Sequence, residues 1–112
     1  MHQKYHIKTE QLDLSDKQLL SNLLKNYEMV VCAVPGFMGY ETLKTIITAK
    51  RDVVDISFSP EDILELNDLA KEHGVTAIVD CGVAPGMDNL ILGYYDTQME
   101  ISSFDCIVGG LP

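Results

Sequence analysis

The sequence has no tryptophan, only three cysteines, and only eight lysines and arginines against seventeen aspartates and glutamates. Each shortage excludes something. Cys32, Cys81 and Cys106 are odd in number, far apart, and each within or beside an apolar, strand-like run. They read as reduced thiols rather than a disulfide framework. A formal charge of -9 and a pI near 4.5 would repel a phosphate backbone, so nucleic acid is not expected as a partner. No apolar run approaches the ~20 residues of a membrane span, and the opening MHQKYHIKTEQ lacks the apolar segment of a secretory signal. A cytoplasmic protein with no membrane partner is the expectation. His2, His6 and His73 have no ligand spacing and no cysteine pair beside them, so no metal site is expected.

What is present is an alternation. The 112 residues are 46% hydrophobic, enough for one modest domain that buries roughly two thirds of its unfolded surface. HIKTEQLDL alternates like a weak strand and MVVCAV, from Met29 to Val34, reads as a compact buried one. Between them Ser15 and Gln18 have the spacing of a capping box, followed by an apolar stripe of Leu19, Leu20, Leu23 and Leu24. A second helix is predicted after Gly39, with Tyr40, Leu43, Ile46 and Ile47 on one face, leading to the strand DVVDIS. A third opens at Ser59 as N-cap with Pro60 behind it, carries Ile63, Leu66, Leu69 and Ala70, and closes at Gly74. The strand VTAIVD, a fourth helix from about Met87 to Tyr95 and a last strand in ISSFDCIVGGLP complete the pattern. Strands alternating with helices imply right-handed crossovers and a mostly parallel sheet with helices on both faces, an α/β fold of three layers.

The turns carry the functional signal. Three successive strand ends read AVPGFMGYE, DISFSPED and DCGVAPGMDN, each with Pro or Gly close to the last apolar position. Open α/β sheets bind ligands beyond the carboxyl ends of their strands, where glycine lets backbone approach closely. Other constellations are weaker. Cys81 with His73 as base has no orienting third group. Asp55 and Asp80 each follow apolar strand residues and could pair, although solvated strand-end aspartates are commoner; Asp88 suits capping at a helix N-terminus better than catalysis. Tyr94 and Tyr95 read as packing.

The blocks VVCAVPGFMGYETLKTI, DVVDISFSPEDILELNDLAKEHGVTAIVDCGVAPGMDNLILGYY and GGLP resemble the saccharopine dehydrogenase family, in particular its lysine 6-dehydrogenase-like branch, over Gln11 to Pro112. The resemblance implies the second part of a Rossmann-type NAD(P)-binding domain over residues 1–95 and the start of a catalytic domain over 96–112. It also implies an oxidoreductase that uses NAD or NADP to move a hydride at the C-N bond of an amino-acid substrate. Carried over by position, Pro35, Gly36 and Phe37 lie in the loop beside the nicotinamide half of the cofactor. Asp55, Ile56 and Ser57 lie near the ring and the substrate, and Cys81, Gly82, Val83 and Pro85 in a loop that touches the nicotinamide. Gly86, Gly109, Gly110, Leu111 and Pro112 would line the substrate cavity. No catalytic residue is singled out. Where saccharopine reductases carry Leu-Asp-Pro-Gly, this chain reads Val83-Ala84-Pro85-Gly86, and the lost carboxylate weighs against saccharopine itself.

The larger departure is the missing phosphate turn. The family opens with a strand, a G-x-G-x-x-G turn and a helix that holds the pyrophosphate, and no such motif occurs here; GFMG is G-x-x-G after a later strand. The resemblance therefore describes a fragment that lacks its first strands and is expected to bind NAD weakly or not at all. In the sheet order 3-2-1-4-5-6, losing strands one and two bares an edge of MVVCAV, from which a homo-oligomer is expected. The remaining alternative is a catalytically silent, oligomerising α/β module.

Overall fold

The computed structural model describes residues 7–109. Its first helix, α1 (Lys17–Leu24), is followed by strand β1 (Met29–Cys32), helix α2 (Gly36–Thr48) and strand β2 (Asp52–Asp55). A 3-10 turn (Ile63–Leu66) runs into α3 (Asn67–His73), and strand β3 (Ala77–Ile78) and helix α4 (Met87–Asp96) close the series. The three strands form one parallel sheet in the order β1-β2-β3. The α/β class with a parallel sheet is as the sequence implies.

The register explains which side chains meet. Val30 stands opposite Val53, and Val53 opposite Ala77, and this row faces the helices. Leu43, Ile46 and Ile47 of α2 are all but fully buried against it, with Leu20 and Leu24 of α1 on one flank and Leu66 on the other. Fully burying a side chain of this size is worth about 1.5–3 kcal/mol, so this cluster dominates the stability. The next row, Val31, Val54 and Ile78, faces the other way. Val31 is 69% exposed and Ile78 53%. Of three layers, the described residues build two, and α4 carries no buried residue.

Local chemistry moves several predicted boundaries. The cap of α1 is Asp16, whose carboxylate accepts from the N–H groups of Gln18 and Leu19 at 3.0 Å, and not Ser15. Ser15 is taken by Asp13, which accepts both its N–H and its hydroxyl and is held below the usual carboxylate range by those bonds, the hydroxyl first. Leu19, expected in the buried stripe, is exposed. Lys17 pairs with Glu41, tying α1 to α2 and lowering the Glu41 pKa through that hydrogen bond and charge. α2 begins at Gly36, not after Gly39, because Pro35 already has an extended ψ of 144° and delivers the chain into the first turn. The third helix does not start at Ser59. The hydroxyl of Ser59 is directed to the Gly36 carbonyl at 3.4 Å, and Asp62 caps the 3-10 turn through the Leu64 N–H. Gly74 closes α3 in the left-handed conformation, φ 65°, as its position predicts.

Two predicted strands are absent. Residues 7–14 form no strand, and neither does the tail over 97–109; a strand needs an adjacent edge, and none of the three strands pairs with either segment. His6, part of the first of these segments, lies outside the described residues, as do Gly110, Leu111 and Pro112. VTAIVD keeps only Ala77–Ile78 as strand, because Asp80 turns the chain at φ 55°.

Candidate functional site

The carboxyl ends of β1, β2 and β3 lie side by side because the strands are parallel, and the three loops that follow them are laced together by backbone. The Ile56 N–H donates to the Cys32 carbonyl, and the Cys81 N–H to the Asp55 carbonyl, each at 3.0 Å. Glycine makes the approach possible at two points. A Cβ on Gly36 would stand 2.0 Å from the Phe58 carbonyl oxygen, so only glycine lets the start of α2 lie on the 56–59 loop. A Cβ on Gly86 would meet the Gly82 oxygen at 2.2 Å, and φ there is 139°, a region that side chains avoid. Cys81 to Gly86 thus closes into a tight loop, pinned by a parallel bridge between Gly82 and Gly86 and containing a cis bond between Ala84 and Pro85.

The polar centre of this edge is Asp55. Its side chain is fully buried. The carboxylate oxygen Oδ1 accepts from the Ser57 N–H at 3.1 Å and from the Ser57 hydroxyl at 2.6 Å, while Oδ2 is buried without a hydrogen-bond partner. Cys32, the in-register partner of Asp55 on β1, is 3% exposed. Its thiol is pushed up to about 11 by burial first, then by the Asp55 side chain beside it. Cys32 is therefore a neutral thiol at pH 7 and no nucleophile.

The residues expected from the sequence fall into three groups. Pro35, Gly36, Ser57, Asp55, Cys81, Gly82, Pro85 and Gly86 belong to the laced edge. Phe37 and Val83 extend from it into solvent, 80% and 72% exposed. Gly109 sits in the irregular tail with open space around it. Asp88 holds the loop rather than reacting: its Oδ1 accepts from the N–H groups of Gly86 and Asn89, although Gly86, with no side chain, occupies the cap position. Burial and then the Asp88 charge raise the Cys106 thiol. His73 closes the last turn of α3, and Tyr94 meets Tyr95 edge-on with ring centroids 5.3 Å apart. Sequence reasoning missed Cys32 and Gly39. A Cβ on Gly39 would lie 2.7 Å from the Ser57 hydroxyl, and the spacing of Gly36 and Gly39, one helical turn apart, was the available signal.

A parallel sheet, helix-to-strand crossovers and a glycine-laced carboxyl edge define an open α/β fold of the Rossmann-like class. The particular family follows from comparison. Residues 1–78 match the model of the saccharopine dehydrogenase NADP binding domain, and the chain belongs to that family. It is 28% identical to the saccharopine dehydrogenase [NADP(+), L-glutamate-forming] of Pyricularia oryzae, over 90% of this chain and 24% of that protein. The enzyme of the same name from Saccharomyces cerevisiae is also 28% identical over 90% of this chain, and 24% of it is covered. The alpha-aminoadipic semialdehyde synthase of Arabidopsis thaliana is 26% identical over 95% of this chain and 10% of its own length. The chain thus spans about a quarter or less of the curated relatives it matches.

The edge carries no positive charge. Residues 33–40, 55–60 and 80–89 contain no lysine or arginine, while Asp55, Asp80 and Asp88 bring negative charge. Nothing there neutralises a pyrophosphate or a 2′-phosphate. What the edge offers instead is close backbone and the exposed Phe37 and Val83.

Proposed function

We propose that this chain is the nicotinamide-side half of the NADP-binding domain of an oxidoreductase that acts at the C-N bond of an amino acid of the saccharopine or lysine type. Family membership supports the cofactor class. The observation that carries the reading is the glycine-laced carboxyl edge, where Gly36 and Gly86 admit contacts that a Cβ would forbid. Bound there, NADP supplies the hydride chemistry; the chain's own residues orient it. The Gly82–Gly86 bridge fixes the loop wall, and the buried Asp55, bonded to Ser57, fixes the turn after β2. On its own the chain binds NADPH weakly, because no residue of this edge is placed to hold phosphate.

The test is amide chemical-shift mapping of the chain at millimolar NADPH. Shifts at Gly36, Phe37, Ser57, Gly82 and Val83 are expected. Shifts elsewhere, or none, contradict the reading.

A further inference from the structure

Asp55 closes β2 and Ser57 follows two residues later, on an edge that is otherwise open to solvent. Neither side chain reaches the surface: Asp55 is 0% exposed and Ser57 6%. Groups enclosed in this way act on a ligand only through what they hold in place. Along 56–59 the side chains alternate. Ile56 and Phe58 stand in solvent, 47% and 66% exposed, while the hydroxyls of Ser57 and Ser59 turn inward against α2.

Ser57 is pinned from two sides. Its N–H and its hydroxyl both donate to Oδ1 of Asp55, at 3.1 and 2.6 Å, which leaves the hydroxyl a single orientation. Opposite stands Gly39 of α2, where a Cβ would lie 2.7 Å from the Ser57 Oγ and 2.3 Å from the Ser59 Oγ. One helical turn earlier, a Cβ on Gly36 would meet the Phe58 carbonyl oxygen at 2.0 Å, and the Gly36 carbonyl accepts from the Ser59 hydroxyl at 3.4 Å. The first turn of α2 thus rests on the 56–59 loop, glycine against serine and backbone. Its own cap does not fix it, since Pro35 in the cap position makes no side-chain hydrogen bond. Oδ2 of Asp55 is buried without a partner, a costly state for a carboxylate that calls for an explanation. The placement of Ser57 by Oδ1 supplies one.

We propose that Ser57, oriented by Asp55, is a positioning residue: it sets the first turn of α2 against the 56–59 loop and so fixes where Phe37, 80% exposed on that turn, stands on the carboxyl edge. That Phe37 meets NADPH there rests on the function proposed above. A pair that served overall stability alone would affect all of α2 and β2 alike.

The test is residue-resolved amide hydrogen exchange of the full 112-residue chain, followed by its amide shifts with NADPH. Ser57→Ala removes the hydroxyl and keeps the N–H. Exchange at Met38, Gly39 and Tyr40 should quicken at least about tenfold, while Ile46 and Ile47 at the far end of α2 and Val53 of β2 keep their rates. Gly39→Ala, which drives a methyl onto both hydroxyls from the α2 side, should give the same pattern and serves if Ser57→Ala fails to fold. Asp55→Asn, which keeps an oxygen to accept from Ser57, should stay near the wild-type rates. Uniform quickening, none at all, or a response to Asp55→Asn as large as to Ser57→Ala overturns the proposal. With NADPH, the shift at Phe37 should shrink in Ser57→Ala and Gly39→Ala while those at Gly82 and Val83 persist; a Phe37 shift undiminished in both also overturns it. A wild type that shows no NADPH shifts contradicts the proposed function instead, and the exchange pattern still decides the positioning.

Discussion

Between Met29 and Ser57 the chain buries Cys32, Leu43, Ile46, Ile47 and Val53 nearly completely, and even its polar residues Asp55 and Ser57 are enclosed. Between Ala77 and Gly109 it buries no hydrophobic side chain, and Leu90, Ile91, Tyr94 and Tyr95 of α4 stand in solvent. Both regions are apolar in sequence, so the difference is one of neighbours. The first has a helix layer and a sheet row facing each other. The second has amphipathic elements with nothing opposite them. A radius of gyration of 16.9 Å, against roughly 13 Å for a compact domain of this length, expresses the same imbalance. The described residues combine one well-packed helix-on-sheet unit with a second stretch whose apolar side chains are exposed.

The strongest way to break this comparison is to truncate one residue in each region. Ile46→Ala should cost about 2–5 kcal/mol in urea unfolding, whereas Ile91→Ala should change stability by no more than about 0.5 kcal/mol. Equal losses would mean that α4 is packed after all. Glycines sharpen the contrast. Gly36→Ala must push α2 off the Phe58 carbonyl and should cost about 1–3 kcal/mol, measurable as a lowered Tm. Gly93→Ala, in the exposed middle of α4 with nothing near its Cβ, should instead stabilise that helix by about 0.5–1 kcal/mol.

At the site itself, Asp55→Ala removes the acceptor of both Ser57 bonds and should destabilise by about 1–3 kcal/mol, while Asp55→Asn, which keeps an oxygen acceptor, should lose less. The smallest effect is on pH dependence. The Cys32 thiol is neutral in the fold up to about 11 but ionises near 9.0 when unfolded. The unfolded state therefore sheds its proton first. Stability from this group is full below pH 9 and declines as pH rises from about 9 to 11. Urea midpoints at pH 8 and 10.5 should diverge more for the wild type than for Cys32→Ala.

Much of this arrangement is legible in the sequence, and the failures share one cause. Apolar runs marked β1, β2 and β3, and leucine and isoleucine spacing marked the helices, because those signals are local. The start of α2 was misplaced, since Gly36 and Gly39 look like loop residues until the 56–59 loop is seen lying against them. Ser59 looked like a cap for the same reason; its hydroxyl faces α2. Residues 7–14 and the tail carry strand-like patterns, but a strand exists only beside another strand. Proline and glycine at three strand ends marked the turns that backbone hydrogen bonds lace into one edge, whereas the contact of Cys32 with Asp55 depends on register, which composition does not reveal.

Calorimetric titration of the 112-residue chain with NADPH tests most directly the proposal that its glycine-laced edge takes the cofactor without holding phosphate. Heats that do not saturate below millimolar NADPH are the expected result, because the edge over residues 33–40, 55–60 and 80–89 has no lysine or arginine to hold phosphate. A one-to-one isotherm with a micromolar Kd would contradict it and would mean that this chain builds a phosphate site of its own.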